Sequence, residues 1–366
     1  MSKKYLTMIS VLLFILILIG FAFYAYQKSS GIRFVKKLNA GWNLGNSLDV
    51  NSNGAIQGEA ELFEVYWGNP VTTKAIIDEV KASGFHTIRI PVTWYEHMDN
   101  NGLIDEKWMD RVQEVVDYVI DNNMYAVINI HHDSWFVPTY ENKEKATQLL
   151  CSTWSQIAKR FAEYDEHLIF EAMNEPRLIG TEYEWNAGTK EAKEVVNYLN
   201  DAFVKTIRSS PSKNKNRYLM IAPYCNSSDK EALEDFVLPK DDRLIISIHE
   251  YVPYEFVMKK DGTDTWDKQN PKDTEEIDLV FDNLNQYFIR KGIPVIISEF
   301  GAINKNNLKA RLDWLEYFAK SARENNIAYI WWDDGGKPSD TGKYILLDRY
   351  NLIWKYPEIN RILVDN

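Results

Sequence analysis

The chain is 366 residues long and 45% hydrophobic, enough for one large domain or two modest ones. Its formal charge of −11 argues against nucleic acid or an anionic lipid surface as the main partner, since both call for clustered lysine and arginine. Two cysteines, Cys151 and Cys225, cannot build a disulfide framework; they read as two separate buried thiols, with one bridge as the alternative.

The first element in chain order is Lys3-Lys4 followed by the uncharged run YLTMISVLLFILILIGFAFYAY, residues 5–26. It is long enough to cross a bilayer core as a helix, and the preceding lysines predict a cytoplasmic N-terminus. The run lacks a good small-residue cleavage site, so a signal-anchor is favoured over a cleaved signal peptide. Either way residues 31–366 are expected outside the cell, at its surface or secreted.

Past residue 31 there is no linker and no short-period repeat. Apolar runs of strand length recur at 41–46, 86–92, 125–131, 168–174, 218–224, 244–251, 294–300 and 328–332. Several are rich in β-branched residues, as strands buried on both faces are. Between them lie stripes of helical period: Ile76, Ile77 and Val80; Val112, Val115, Val116 and Val119; Leu149, Leu150, Trp154, Ile157 and Phe161; Val280, Leu284 and Phe288. Glycines such as Gly84 and Gly292 stand where these stripes stop. Strand and helix alternating eight times predict a single (β/α)₈ barrel over 31–366. A doubly wound open sheet is the rival, but GWNLGNS lacks the G-x-G-x-x-G spacing of a phosphate loop.

In such barrels chemistry gathers at the C-terminal ends of the strands. Those ends read Asn43, Arg89, His131-His132, Asn174-Glu175, His249 with Tyr251, Glu299, and Trp331-Trp332. In LIFEAMNEP, strand alternation puts Glu171, Met173 and Glu175 on one face, with Glu171 deeper. Pro176 predicts an extended Glu175 that projects over the mouth. Glu171 is expected to be a structural acid satisfied by Arg89 or a hydroxyl. Glu175 and Glu299, converging across the mouth, suit glycoside hydrolysis: one protonates the leaving oxygen and the other attacks the anomeric carbon. The acid needs a raised pKa, from burial and its anionic neighbour; the nucleophile needs the reverse, for which Arg89 is suited. On the residues alone, a chance pair of strand-end carboxylates remains the alternative.

The motifs GWNLGNSLD, RIPVTW, NIHHD, FEAMNEP, IHEY, ISEFGA and WWDDGG stand in that order on successive strand ends. Through them, residues 35–366 resemble glycoside hydrolase family 5, the cellulase family of retaining barrel enzymes, and its subfamily 4 in particular. The resemblance implies Glu175 as acid/base and Glu299 as nucleophile, with Arg89 beside the latter. It implies that His131 and Asn174 hold sugar or carboxylate, that His249 and Tyr251 flank the glutamates, and that Trp332 is a sugar platform. Asn43 and His132 are added as substrate-binding candidates by their position. Of the twelve tryptophans, Trp135 and Trp332 are placed in the cleft by position, Trp331 is expected to be buried, and Trp67, Trp185 and Trp266 are loop candidates, with Trp266 in a possible wall.

Two metal readings are set aside. His131-His132 lacks the His-x-His spacing of barrel zinc sites, and adjacent histidines on a strand point apart. Asp49, Asn51, Asn53 and Gly54 open like a calcium loop, but its twelfth position is Ala60 where a bidentate glutamate is required. No metal or cofactor is expected. The implied activity is an endo-β-1,4-glucanase, monomeric, acting on β-glucan and tethered through 5–26 if these are uncleaved. Xyloglucanase, lichenase and mannanase are alternatives on the same fold, and a non-catalytic carbohydrate-binding barrel is the alternative of a different class. Specificity is expected in the loops 50–69, 133–145, 178–190 and 252–272.

Overall fold

Each of the eight apolar runs forms a strand, because a buried run too short and too β-branched for a stable helix satisfies its backbone by pairing with neighbouring strands. A computed structural model describes residues 30–210, 212–336 and 341–365. The strands are β1 Ala40–Leu44, β2 Thr87–Ile90, β3 Tyr125–Asn129, β4 Leu168–Glu171, β5 Leu219–Ile221, β6 Leu244–Glu250, β7 Val295–Phe300 and β8 Ala328–Asp333. They pair in parallel and in order, and β1 closes on β8, giving the expected barrel. Of all the strand positions above, Trp332 alone is half-buried and the rest are buried. The apolar run 5–26 lies outside the described residues. Among the described residues no helix is long and apolar enough to cross a membrane.

The main helices of the connections are α1 Lys74–Ala82, α2 Glu106–Asp121, α3 Lys143–Arg160, α4 Lys190–Ser209, α5 Lys230–Leu233, α6 Pro271–Tyr287, α7 Leu308–Glu324 and α8 Pro357–Val364. Their buried faces follow the periodic stripes; α2, for example, buries Val112, Val115, Val116 and Val119. Asp105 caps α2 by accepting the amides of Lys107 and Trp108 at 2.7 and 3.2 Å, and Thr189 caps α4. Gly292 stops the α6 segment in the left-handed region at φ 73°, where a side chain would be strained. The fifth connection keeps only a single helical turn.

Alternation sorts the strand residues into two apolar layers. Leu168 and Phe170 pack outward into the helix-lined core, while Ile169 belongs to an inner cluster with Val127, Met220, Ile245, Ile296 and Ile330. Above that layer the inward residues turn polar, with Arg89, Glu171, Ser247 and Ser298 all fully buried. This polar layer is the floor of the mouth. The chain after β8 returns as a hairpin, Leu347–Asp348 against Ile353–Trp354. Its buried Arg349 bonds the Gly45 carbonyl at 2.8 Å and the Asp333 carbonyl at 2.6 Å, tying the hairpin to the β8–β1 seam.

Candidate active site

Arg89 organises the floor. From β2 its Nε reaches Glu171 at 2.6 Å, Nη1 reaches Glu299 at 2.6 Å and Asn43 at 3.0 Å, and Nη2 reaches Asn174 at 2.8 Å. A buried guanidinium would be very costly alone; two carboxylates hold it protonated, above the ordinary arginine range, against the effect of burial. Glu171 takes a second bond from Ser247 at 2.5 Å, so it is the structural acid expected. Asn43 departs from expectation. It has no solvent exposure, donates to the carbonyls of Ser298, Ile330 and Trp331, and accepts from Arg89. It braces the barrel seam beneath the mouth, out of reach of a substrate.

Glu175 also corrects the sequence reading. Its backbone is not extended but left-handed, at φ 44°. The strand ends at Glu171, so alternation no longer governs the next residues, and Met173 packs into the outer core instead of sharing a face with the two glutamates. The turn at Glu175 is held by Asn226, which accepts the Glu175 amide at 2.9 Å and anchors on the Ser247 carbonyl and hydroxyl at 3.2 and 3.1 Å. Backbone strain here is of order 1–3 kcal/mol and persists because these bonds over-determine it. Asn226 carried no sequence signal beyond its place after a strand.

The two candidate glutamates meet at His249. Its Nδ1 lies 2.9 Å from Glu175 Oε1 and 3.6 Å from Glu299 Oε2, and one oxygen of each carboxylate and a His249 ring nitrogen lie within 4.8 Å of one another. Register shifts in β6–β7 and β7–β8 re-aim His249 and Glu299 toward the mouth. Tyr251 donates to Glu299 Oε2 at 3.2 Å. Arg177, directly after Pro176, reaches Glu175 Oε2 at 3.3 Å and Glu184 at 3.1 Å.

Burial raises the pKa of both carboxyls. At Glu175 the hydrogen bond from His249 and the charges of His249, Arg177 and Arg89 more than reverse this, leaving it below the ordinary glutamate range. At Glu299 burial, reinforced by the Glu175 charge, outweighs His249 and Arg89 and leaves it above that range. This is the reverse of the order expected from sequence. The cause is the imidazole and guanidinium gathered around Glu175, while Arg89 divides its charge between Glu299 and Glu171.

His131 and His132 do not point apart. Because β3 ends at Asn129, strand parity does not reach them, and their rings stand edge to face at 4.4 Å on one wall of the cleft. Asp49 lies close to both. Its carboxylate accepts the amides of Asn46 and Ser47 at 3.0 and 2.7 Å, the work of a turn-former. Burial drives His131 well below the ordinary histidine value, so it presents a neutral ring. That ring is parallel to Trp332, 2° apart with centroids at 5.8 Å. Gly45 makes room for Trp332; a Cβ there would come within 2.8 Å of the indole.

Among the aromatics, Trp331 is buried as expected, and Trp332, the candidate platform, and Trp185 line the cleft. Trp67 stands at the rim, 5.5 Å from His132. Trp135 was placed in the cleft by position and is not there: it is 8% exposed, packed against Phe136 in the outer core. Trp266 likewise forms no cleft wall, being 5% exposed, against Tyr317, with its indole N–H on the Asp273 carbonyl at 2.8 Å. Both loops curl back onto the helix layer, where a large apolar ring loses more water contact than at a rim. Tyr254 and Tyr344 line the cleft without having been foreseen. The cleft has a volume of about 640 Å³. Cys151 and Cys225 are free and half-buried, with no bridge between them.

Residues 48–338 match the family model for cellulase, glycosyl hydrolase family 5. The chain belongs to glycoside hydrolase family 5. Among curated relatives, it is 44% identical over 342 residues to the cellulase/esterase CelE of Acetivibrio thermocellus, covering 92% of this chain and 40% of that protein. It is 41% identical over 345 residues to endoglucanase A of Clostridium longisporum, covering 93% of this chain and 66% of that protein. The chain thus spans less than two thirds of the length of either relative. Among solved structures, a GH5-4 broad specificity endoglucanase from Ruminococcus champanellensis with bound cellotriose superimposes with a TM-score of 0.87 at 42% identity, over 91% of this chain and 98% of that one. As a family 5 member, the chain carries one glutamate, Glu175, in the turn after β4 and another, Glu299, in β7, both lining one cleft.

Proposed function

We propose that this family 5 protein is an endo-β-1,4-glucanase that cleaves with retention at the anomeric carbon. The observation that carries the reading is the carboxylate pair: an oxygen of Glu175 and one of Glu299 within 4.8 Å leaves no room for the intervening water of an inverting enzyme, whose carboxyls stand about 6.5–9.5 Å apart. Glu299 attacks the anomeric carbon as the bond to the leaving oxygen breaks, and Glu175 delivers a proton to that oxygen. Glu175 then takes a proton from water, which attacks the same carbon and releases Glu299. Before the first step Glu175 must gain a proton, and His249 Nδ1 at 2.9 Å stands where it can exchange one. Arg89 and Tyr251 hold Glu299 in line, and Asn174, pinned by Arg89, faces the cleft to bond a sugar hydroxyl. His131 and Trp332 offer parallel apolar faces for a pyranose ring.

The test is reducing-end release from carboxymethyl cellulose, mixed-linkage β-glucan, xyloglucan and mannan. Release from one or more glucans supports the reading and ranks the backbones; release from none by folded protein refutes it. We further propose that the enzyme is exported and held at the membrane by residues 5–26, supported by the length of that uncharged run and by Lys3 and Lys4 before it. Flotation of the full chain with lipid vesicles tests this second reading.

A further inference from the structure

Residues 30–38 form a helix that plugs the N-terminal end of the barrel, opposite the mouth. Phe34, Val35 and Leu38 are buried in the inner cluster with Val127, Ile169 and Met220, and Phe34 stacks on Tyr218 at 3.8 Å. Gly31 lies so close to Pro294 that a Cβ would come within 2.9 Å. Asn39 alone separates this helix from β1, so its placement is fixed by the barrel itself. Only Gln27, Lys28 and Ser29 stand between Tyr26 and residue 30, a span of at most about 14 Å. Whatever holds the apolar run therefore meets the barrel at its N-terminal face.

That face is charged unlike the rest of the molecule. Helix 30–38 carries three basic residues and no acid; so does the connection 210–217 into β5. The connection 288–294 into β7 has two bases and no acid, 239–243 into β6 has two of each, and 161–167 into β4 has three acids. The connections 83–86, 122–124 and 325–327 hold no lysine, arginine or acid. Asp365, following Leu363 and Val364 where these contact Tyr329 and Gly84, adds a sixth acid, so ten basic residues face six acidic ones here, in a chain with 42 of the former and 53 of the latter. One of the bases, Arg217, is buried; one of the acids, Glu166, is answered by Lys37 at 3.5 Å. Lysines near an anionic leaflet gain about 1 kcal/mol each, roughly fivefold in residence.

We propose that this N-terminal face docks on the anionic headgroups of the membrane that holds residues 5–26, so that the barrel stands on the bilayer with its catalytic mouth outward. The inference rests on the anchorage reading above and not on the glycosidase chemistry. Docking leaves Glu175 and Glu299 turned toward polymer arriving from outside, and it uses surface that the reaction does not touch.

The experiment reconstitutes the full chain in phosphatidylcholine vesicles with and without phosphatidylglycerol. Lysine acetylation is then read residue by residue by mass spectrometry. Lys215, Lys240 and Lys291, exposed on the N-terminal face, should lose labelling about fivefold or more when phosphatidylglycerol is present, and regain it in high salt. Lys190 and Lys309, at the mouth-side ends of α4 and α7, should be unchanged. The triple variant Lys215→Glu, Lys240→Glu, Lys291→Glu should still float and still hydrolyse soluble glucan, but lose the protection at the lysines that remain on this face, Lys36, Lys37 and Lys213. If the chain floats and these lysines label equally in both vesicle types, docking is overturned while anchorage stands. If the chain does not float, anchorage falls and docking with it.

Discussion

Glu250 offers a quantitative test of the polar interior. It is the last residue of β6, 4% exposed, with Oε1 lacking any hydrogen-bond partner. Burial pushes its carboxyl from 4.5 up to about 8, with Ser228 easing the shift and Asp229 adding to it. In the unfolded chain this group loses its proton above about pH 4.5, whereas in the folded chain it keeps it until about pH 8. The folded state therefore binds more protons across that window, and stability falls as pH rises from about 4.5 to 8 and then levels. A difference of about 3.5 units corresponds to about 5 kcal/mol as an upper bound, since each unit is about 1.4 kcal/mol. Glu250→Gln retains the shape and has no proton to lose. We expect the variant to match the parent at pH 4 and to exceed it by about 2–5 kcal/mol at pH 8. Urea unfolding of both proteins at several pH values measures this directly. Parallel stability curves, with a constant offset at every pH, would refute the reasoning. So would a variant that is less stable at pH 8, because that would mean an ionised and well-partnered carboxylate.

The remaining predictions concern the mouth. Glu299→Gln should lower kcat by about a thousandfold or more while leaving cellooligosaccharide binding by calorimetry largely intact. Glu175→Gln should be nearly inactive on glucan yet keep much of its first-step rate on an aryl glycoside with a good leaving group, seen as a burst of released phenol. Arg89→Met strands Glu171 and Glu299 in the interior without a counter-charge and should cost about 3–5 kcal/mol in urea unfolding. It should also raise the acid limb of the pH–activity profile, because Arg89 lowers the Glu299 pKa. Trp332→Ala should reduce kcat/KM on glucan about tenfold with no comparable loss of stability, since the ring lines the cleft instead of the core.

Much of this architecture was legible because parallel strands buried on both faces have to be apolar throughout. Eight such runs, with polar residues at their C-terminal ends, leave few other folds. Glu171 could be read as structural and Glu175 and Glu299 as opposed because a carboxylate in an apolar run has few places to go. The left-handed turn at Glu175 was not legible, since the bond that holds it comes from Asn226, 51 residues away. Pro176 constrains Glu175 away from the helical region but does not choose between the extended and left-handed ones.

The sequence by itself determined the barrel, its strand order and the polar residues that follow its strands, because periodicity and burial are local properties of the chain. Only the tertiary structure decided where side chains outside the strands point. It turned Trp135 and Trp266 inward, brought His131 and His132 to one wall, and withdrew Asn43 beneath the floor. It also decided the proton order of the two glutamates, through His249 approaching Glu175 from β6 and Arg177 folding back on it from the same loop. A net charge of −11 conceals a basic N-terminal face for the same reason. Coulomb energies depend on distance in space, and residues 30–38, 210–217 and 288–294 become neighbours only when the barrel closes.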